Sequence, residues 1–455
     1  MFSDGLRKTG VVRPRGRGLA AAAESVLRAN HTGLMTKAAP GLYPHQWSWD
    51  AAFNAIGWAA VNVAVAQAEL DALIAGQWSN GMIPHIVFDP SSDGYFPGPE
   101  IWDCAAAAPA APAAVTTSGI CQPPVHAIAA TIIYSRDRSG TGRLRWLSDT
   151  YPRLLSWHRY LAAERRDERT GLLAIIHGWE SGTDNSPRWD RPYSRVPVAS
   201  LDGQARRDTA HVPDLTQRPD DSDYGRYIGL LAQARTVGYE ARRLRVTGDF
   251  VCGDTLFTAI FAVASDLLAT LSQAVGAAEA AELRGYARDA REAVLAQVDP
   301  VSGLAADVDL RTGEVLHTET LAGFAPLIAG GIPVELRRLL TELLEGPRWA
   351  GHPGLKWPLP PSTAPESAAF KPRNYWRGPV WPVMSWLLGW SLARNGEQAA
   401  ARRIAGASLA QLEDLSFAEY YEPFTGEPLG SRRQSWTAAV ALDWLAGCQP
   451  APVSQ

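Results

Sequence analysis

Cysteine is scarce in this chain of 455 residues, with four in all. Cys104, Cys121, Cys252 and Cys448 lie far apart and form no CxxC or Cys/His ligand pattern. That excludes a disulfide scaffold and a zinc knuckle, fits a reducing compartment, and leads us to expect a cytoplasmic protein. Charge of one sign is also lacking. A formal net charge of −4 gives no electrostatic case for nucleic acid or an anionic membrane surface. The basic stretch Arg13 to Arg17 reads as a solvated arm. No window approaches about 18 uninterrupted apolar residues, and Met1 to Gly18 lacks the apolar segment of a secretion signal. Motifs of several chemistries are missing too. There is no GxSxG, HExxH or Walker A, and no GxGxxG after a convincing strand, so serine, metal and phosphate-loop mechanisms fall behind. Asp89-Pro-Ser-Ser-Asp93-Gly94 has a faint calcium character but lacks the spaced oxygen ligands and terminal Glu of an EF-hand. We expect no metal and no cofactor.

What is present is helix. With 46% hydrophobic and 20% charged residues the chain can bury a large globular core. Ala-rich and Leu-rich stretches with helical spacing recur at roughly 17–29, 50–76, 123–135, 144–165, 224–246, 254–273, 276–296, 318–329, 333–345, 380–395, 397–413 and 434–447. Convincing strand patterns are few, the best being Leu172 to His177 and Val298 to Val315, the latter with a turn-like Asp309 to Gly313. Alternating short and long connections suggest helical hairpins stacked around an axis, and about six would close an all-α toroid. No fixed-period repeat is visible. We expect one catalytic domain over 15–448, an arm at 1–14 and a tail at 449–455. The connections at about 77–122, 166–223, 346–378 and 414–433 are unusually long, and the first two are expected to cap one end.

Seventeen tryptophans are the compositional outlier, and many stand beside acids or arginines in these loops. His177-Gly-Trp179-Glu180-Ser-Gly182-Thr-Asp184-Asn-Ser-Pro-Arg-Trp189-Asp190 sets three acids beside two indoles. Indole faces cover the C–H faces of a pyranose, and carboxylates supply hydrogen bonds and the proton that breaks a glycosidic bond. Tyr43-Pro-His-Gln-Trp47-Ser48-Trp49-Asp50 precedes a helix for which Ser48 or Asp50 is a candidate N-cap. Tyr375-Trp376-Arg-Gly-Pro379-Val-Trp381-Pro382 leads into another, and both prolines are expected in its first turn. Trp386 and Trp390 read as core. Glu419-Tyr-Tyr-Glu422 and Gln434-Ser-Trp436 form a third segment, while His85, Tyr95 and Gln122 come from a fourth. A carboxylate pair from distant loops remains, Asp184 or Glu180 with Glu419 or Glu422.

Gln46-Trp-Ser-Trp-Asp50, Gly178-Trp-Glu-Ser-Gly-Thr-Asp184, Tyr375-Trp-Arg-Gly-Pro-Val-Trp-Pro382 and Glu419-Tyr-Tyr occur in this order. Together they resemble glycoside hydrolase family 63, the inverting α-glycosidases, and more closely its bacterial members acting on glucosylglycerate or mannosylglycerate. The resemblance implies an (α/α)6 barrel, Asp184 as general acid and Glu419 as general base. Where many relatives have Asn this chain has Glu422. It further implies that Arg218 and Tyr224, with Tyr375 and Trp376, hold glycerate. Tyr43, Trp47, Asp50, His85, Tyr95, Gln122, Trp179, Gly182, Trp381 and Gln434 would surround the pocket. Trp49 and Glu180 join them as candidate substrate binders, and Asp190 is expected to be structural. The implied partner is a small-molecule glycoside, with no nucleic acid and no membrane, and the formation of a homo-oligomer is left open. Two other readings stand beside this one: an α-glucosidase of the same family for neutral sugars, and a toroid that binds sugar without turnover.

Overall fold

The computed structural model describes residues 14–447 except 93, 202, 204, 205, 211 and 213, with residues 14–17, 207 and 210 described by backbone alone. Cys448, Asp93, the tail and most of the expected arm lie outside the described residues. Helix α1 begins at Pro14, so positions 14–17 of the basic stretch are helical, while Arg13 lies outside the described residues.

Among the described residues, twelve helices build two concentric rings. The outer set is α1 (Pro14–Asn30), α3 (Val63–Ile74), α5 (Thr141–Tyr160), α8 (Ala280–Leu295), α10 (Val334–Glu345) and α12 (Gln398–Gln411). The inner set is α2 (Ser48–Ala59), α4 (His126–Arg136), α7 (Thr255–Ala274), α9 (Ala325–Ala329), α11 (Pro382–Arg394) and α13 (Ser435–Leu445). Each inner helix packs on the next, and α13 returns to α2, which closes an (α/α)6 barrel. The sequence expectation of helix at 224–246 is met by α6 (Asp221–Thr236) and a short helix at Ala241–Thr247, but both lie outside the rings, in the connection from α5 to α7.

The inner helices are apolar nearly all round, as a helix enclosed by neighbours must be. All twelve residues of α2 are buried. Helix α7 is apolar and long enough, at 20 residues, to cross a membrane by length and composition, yet 89% of its apolar window is buried inside the protein. Closure of the ring depends on a small residue. A Cβ on Gly57 would stand 2.4 Å from the Cα of Ala439, so α2 and α13 touch backbone to backbone. Asp254 starts α7 by accepting from the backbone N–H groups of Leu256 and Phe257 at 2.9 and 3.1 Å. Pro382 takes the first position of α11, as expected, whereas Pro379 lies before the helix, next to the bridge that Val380 forms with Tyr421.

Inner-to-outer connections are tight: 60–62, 137–140, 275–279, 330–333 and 395–397. Outer-to-inner connections are long, and most contain short strands. β1 (Gln46–Trp47) pairs with β2 (Ile86–Val87), and β7 (Tyr420–Tyr421) pairs with β8 (Pro428–Leu429). A four-stranded antiparallel sheet runs β3 (Ala174–Ile175), β4 (Cys252–Gly253), β5 (Asp307–Asp309), β6 (Glu314–Leu316). The strands expected at 172–177 and 298–315 are therefore present only as these fragments.

Candidate active site

The loop after β3 is fixed by its own side chains. His177 accepts from the Trp179 N–H through Nδ1 at 3.1 Å and donates from Nε2 to the Tyr227 carbonyl at 3.0 Å. Burial lowers its pKa to about 4, so it stays neutral and keeps that tautomer. A 3-10 turn over Gly178–Ser181 follows, and Gly182 reverses the chain at φ 68°. Only glycine fits there, since a Cβ would meet the Trp49 ring at 2.7 Å. The reversal delivers Asp184 to the wall of a cavity.

Glu180, a candidate sugar binder from sequence, does not reach that cavity. It is fully buried and forms a two-pronged pair with Arg165, both contacts 2.7 Å, while accepting from the N–H groups of Ile176 and Cys121 at 2.8 and 3.2 Å. Burial opposes its ionisation, but the Arg165 guanidinium outweighs burial and holds the carboxyl below its ordinary value. Glu180 braces the loop. Asp190 pairs with Arg377 at the surface, 2.6 Å apart, a structural role as expected.

Four carboxyl groups line the cavity: Asp50, Asp184, Asp208 and Glu419. Asp50 is no cap. The N-cap of α2 is Trp47 without a side-chain bond, Ser48 instead bonds His126 at 2.9 Å, and Asp50 sits in the first turn. Burial, then the charges of Glu419 and Asp184, raise Asp50 well above the usual carboxylate range. Asp184 is pushed up to about 7, chiefly by burial. Arg218 opposes that rise, while Glu419 and Asp208 add to it. The side chain is partly open, but it opens into the cavity.

Glu419 is held by donors. The Tyr43 hydroxyl gives it a hydrogen bond of 3.0 Å, the Ser431 N–H one of 3.1 Å, and Arg218 approaches to 3.3 Å. Both of its oxygens are thus engaged as acceptors. Glu422 turns away and accepts from the N–H groups of Phe424 and Thr425, closing its own loop. It does not line the cavity, so geometry separates the two glutamates that sequence left open.

Arg218 is itself buried, 4% exposed, and donates to the Tyr43 hydroxyl. Its guanidinium lies over the Tyr375 ring at 4.3 Å and approaches Asp208 at 3.5 Å. Its contacts to Glu419 and Asp208 are long for ion pairs, and the group borders the cavity.

Aromatic walls complete the site. Tyr43, Trp47, Trp49, His85, Tyr95, Gln122, Trp179, Gly182, Tyr224, Tyr375, Trp376 and Gln434 line it, as sequence reading expected. Trp381 is a correction. It is fully buried, stacked on Trp376 at 3.6 Å, and donates from Nε1 to the Tyr375 carbonyl at 3.2 Å, so it supports the wall from behind. Trp386 and Trp390 are core, as expected. Asp208, Pro219, Tyr227 and Trp436 line the cavity without having been singled out. Trp436 stood in a segment already noted. Asp208 sits among arginines in a loop with no pattern to mark it.

A cavity with clustered acids inside aromatic walls, at one end of a double helical ring, invites comparison with known sugar enzymes. The family model described as the mannosylglycerate hydrolase MGH1-like glycoside hydrolase domain matches residues 43–437. The chain belongs to that family. This glycoside hydrolase is 49% identical over 434 residues to a glucosylglycerate hydrolase of Mycolicibacterium hassiacum, covering 94% of this chain and 97% of the relative. It is 41% identical over 429 residues to a mannosylglycerate hydrolase of Thermus thermophilus, covering 93% and 99%. Among solved structures, a family 63 mannosylglycerate hydrolase from Thermus thermophilus in complex with Tris and D-glycerate has a TM-score of 0.86 at 39% identity, covering 94% of this chain and 99% of that one.

Proposed function

We propose that this enzyme hydrolyses glucosylglycerate, mannosylglycerate or both to hexose and glycerate with inversion. Asp184 serves as general acid and Glu419 as general base. The observation that carries the reading is Arg218. It is the one arginine or lysine among the described residues lining the cavity, buried, and only loosely engaged by acids at 3.3 and 3.5 Å. A guanidinium fork suits a small carboxylate, and the kinship with enzymes named for glycosylglycerates agrees.

The chemistry follows from the two acids. Protonated Asp184 donates to the glycosidic oxygen as the bond to the anomeric carbon breaks, and the glycerate hydroxyl leaves neutral. Glu419 takes a proton from a water attacking the opposite face, which inverts the anomeric centre. Such a pair stands roughly 6.5 to 9.5 Å apart to admit the water. Tyr224, Tyr375 and Trp376 help Arg218 hold glycerate, and the remaining aromatic wall and Asp50 grip the sugar. The reading takes 15–448 as one catalytic domain capped by 77–122 and 166–223. It places the enzyme in the cytoplasm, which the buried free thiols Cys104, Cys121 and Cys252 support, acting on a small molecule rather than nucleic acid or membrane.

A second reading, an α-glucosidase for neutral acceptors, draws on one observation: Glu419 and Asp208 already offset the Arg218 charge. Incubation with glucosylglycerate, mannosylglycerate and neutral α-glucosides, followed by NMR of the released sugar, separates the two. Glycerate release with the inverted anomer supports the proposal. Turnover of neutral glucosides alone favours the second reading, and retention of configuration overturns the acid and base pair.

A further inference from the structure

Asn185 directly follows Asp184, and its amide does not face the cavity. It is 5% exposed, with both ends engaged. Its Nδ2 donates to Oδ1 of Asn374 at 2.8 Å, and its Oδ1 accepts from the Trp376 N–H at 3.0 Å. Asn374 continues the chain of bonds, donating from Nδ2 to the carbonyls of Thr216 and Arg218 at 2.8 and 3.1 Å. Two amides thus join the acid loop, the loop ending in Arg218 and the segment bearing Tyr375 and Trp376. These segments are far apart in sequence and meet nowhere in regular secondary structure.

The junction also holds an unfavourable backbone. Tyr375, between the two residues bonded to Asn185, has φ 39°, the left-handed region that a non-glycine residue enters only when its surroundings enforce it. The Asn374 side chain and the Trp376 N–H are the groups on either side of that residue that Asn185 grips. The Tyr375 ring under the Arg218 guanidinium, at 4.3 Å, is oriented by the backbone so fixed.

We propose that Asn185 and Asn374 form a positioning clasp that sets the proton donor and the carboxylate-binding side as one unit. The leaving glycerate is then presented to Asp184 at the correct distance. Neither amide touches the substrate. The proposal rests on the reading of Asp184 as acid and Arg218 as acceptor arginine.

The test compares two substrates in Asn185→Ala, Asn374→Ala and the double variant. One is the better of the two glycosylglycerates, and the other is the matching α-glycosyl fluoride, whose leaving group needs neither a proton nor a carboxylate site. Because a misplaced donor costs on the order of 100-fold, each single variant is expected to lose about 10- to 100-fold in kcat/KM on the glycosylglycerate and less than about threefold on the fluoride. The double variant loses no more than the worse single, since residues acting as one unit do not add. Asn374→Asp keeps the acceptor for Asn185 and removes the donors to Thr216 and Arg218, so it is expected to lose at least about tenfold on the glycosylglycerate even if an alanine variant folds poorly. Additive losses, or equal losses on both substrates, overturn the clasp. The underlying reading is tested separately by Asp184→Asn: if that variant hydrolyses the glycosylglycerate as well as the parent, the acid assignment fails whatever the clasp variants do.

Discussion

Replacing Asp184 by Asn removes the proposed proton donor and, by the same structure, makes the protein more stable at neutral pH. The Asp184 carboxyl is pushed from 3.8 to about 7, mainly by burial in the cavity wall. That displacement corresponds to about 4 kcal/mol against the ionised form. The cavity admits water, which screens part of the cost, so about 2 kcal/mol is the figure to expect. Between pH 4 and pH 7 the folded enzyme keeps a proton that the unfolded chain has already released. The contribution of Asp184 to stability is therefore full below about pH 4 and declines as pH rises to about 7. Asparagine cannot ionise and shows no such decline. Urea unfolding followed by tryptophan fluorescence, run on parent and variant from pH 4 to pH 8.5, reads the difference directly. The variant should match the parent at the acid end and exceed it by about 2 kcal/mol at the alkaline end, while most activity is lost. In the parent, kcat/KM should fall on the alkaline side as Asp184, whose pKa is raised by burial, loses its proton. A stability difference that does not change with pH would refute the assignment of a raised pKa to this residue.

Two further expectations rest on neighbouring groups. Glu180→Ala leaves Arg165 charged and buried at 1% side-chain exposure without its carboxylate. Such an orphan costs about 3 to 5 kcal/mol, so the chain should unfold at much lower denaturant, and a loss under about 1 kcal/mol would mean that Glu180 is not the brace of the acid loop. Arg218→Met removes the buried cation. It should raise KM for the glycosylglycerate by about 10- to 100-fold while affecting neutral α-glucosides far less, and equal loss on both classes would detach Arg218 from the acceptor.

The barrel was legible because helices enclosed by helices write their environment into a continuous apolar period. Helices α7 and α11 are of this kind, and their bounds fall within two residues of the sequence reading. The short strands were not legible, since two-residue pairings such as Tyr420 with Leu429 need no alternating pattern. Helix α6 was read as part of the toroid because its period is real, but periodicity does not say which neighbour covers a face. The site followed the same logic. Motif-bearing loops gave Asp184, Glu419, Arg218 and the aromatic wall. Glu180 and Trp381 were misplaced because a motif fixes position along the chain, not which way a side chain points: one turned inward to Arg165, the other behind Trp376.

The location of the site is a consequence of the barrel's topology. Helices alternate outer and inner in antiparallel hairpins, so every outer-to-inner connection arrives at the same end, where the inner helices begin. Inner-to-outer connections are tight turns at the other end, and none of their residues lines the cavity that holds Asp184. The cavity lining obeys this division: Tyr43, His85, Asp184, Arg218, Tyr375 and Glu419 lie in outer-to-inner connections, and Asp50 and Trp436 lie in the first turns of α2 and α13. Inner helices also present their N-terminal ends there, and the partial positive charge at those ends favours a cluster of acids that would otherwise repel one another. One Arg buried at 4% exposure then stands among Asp50, Asp184, Asp208 and Glu419. Burial of Asp184 in this cavity wall raises its pKa to about 7, with the Glu419 and Asp208 charges adding to the rise and Arg218 opposing it. The proton of the proposed acid is thus a product of where the ring puts its long loops, and substitutions that move those loops should alter that group before they alter the barrel.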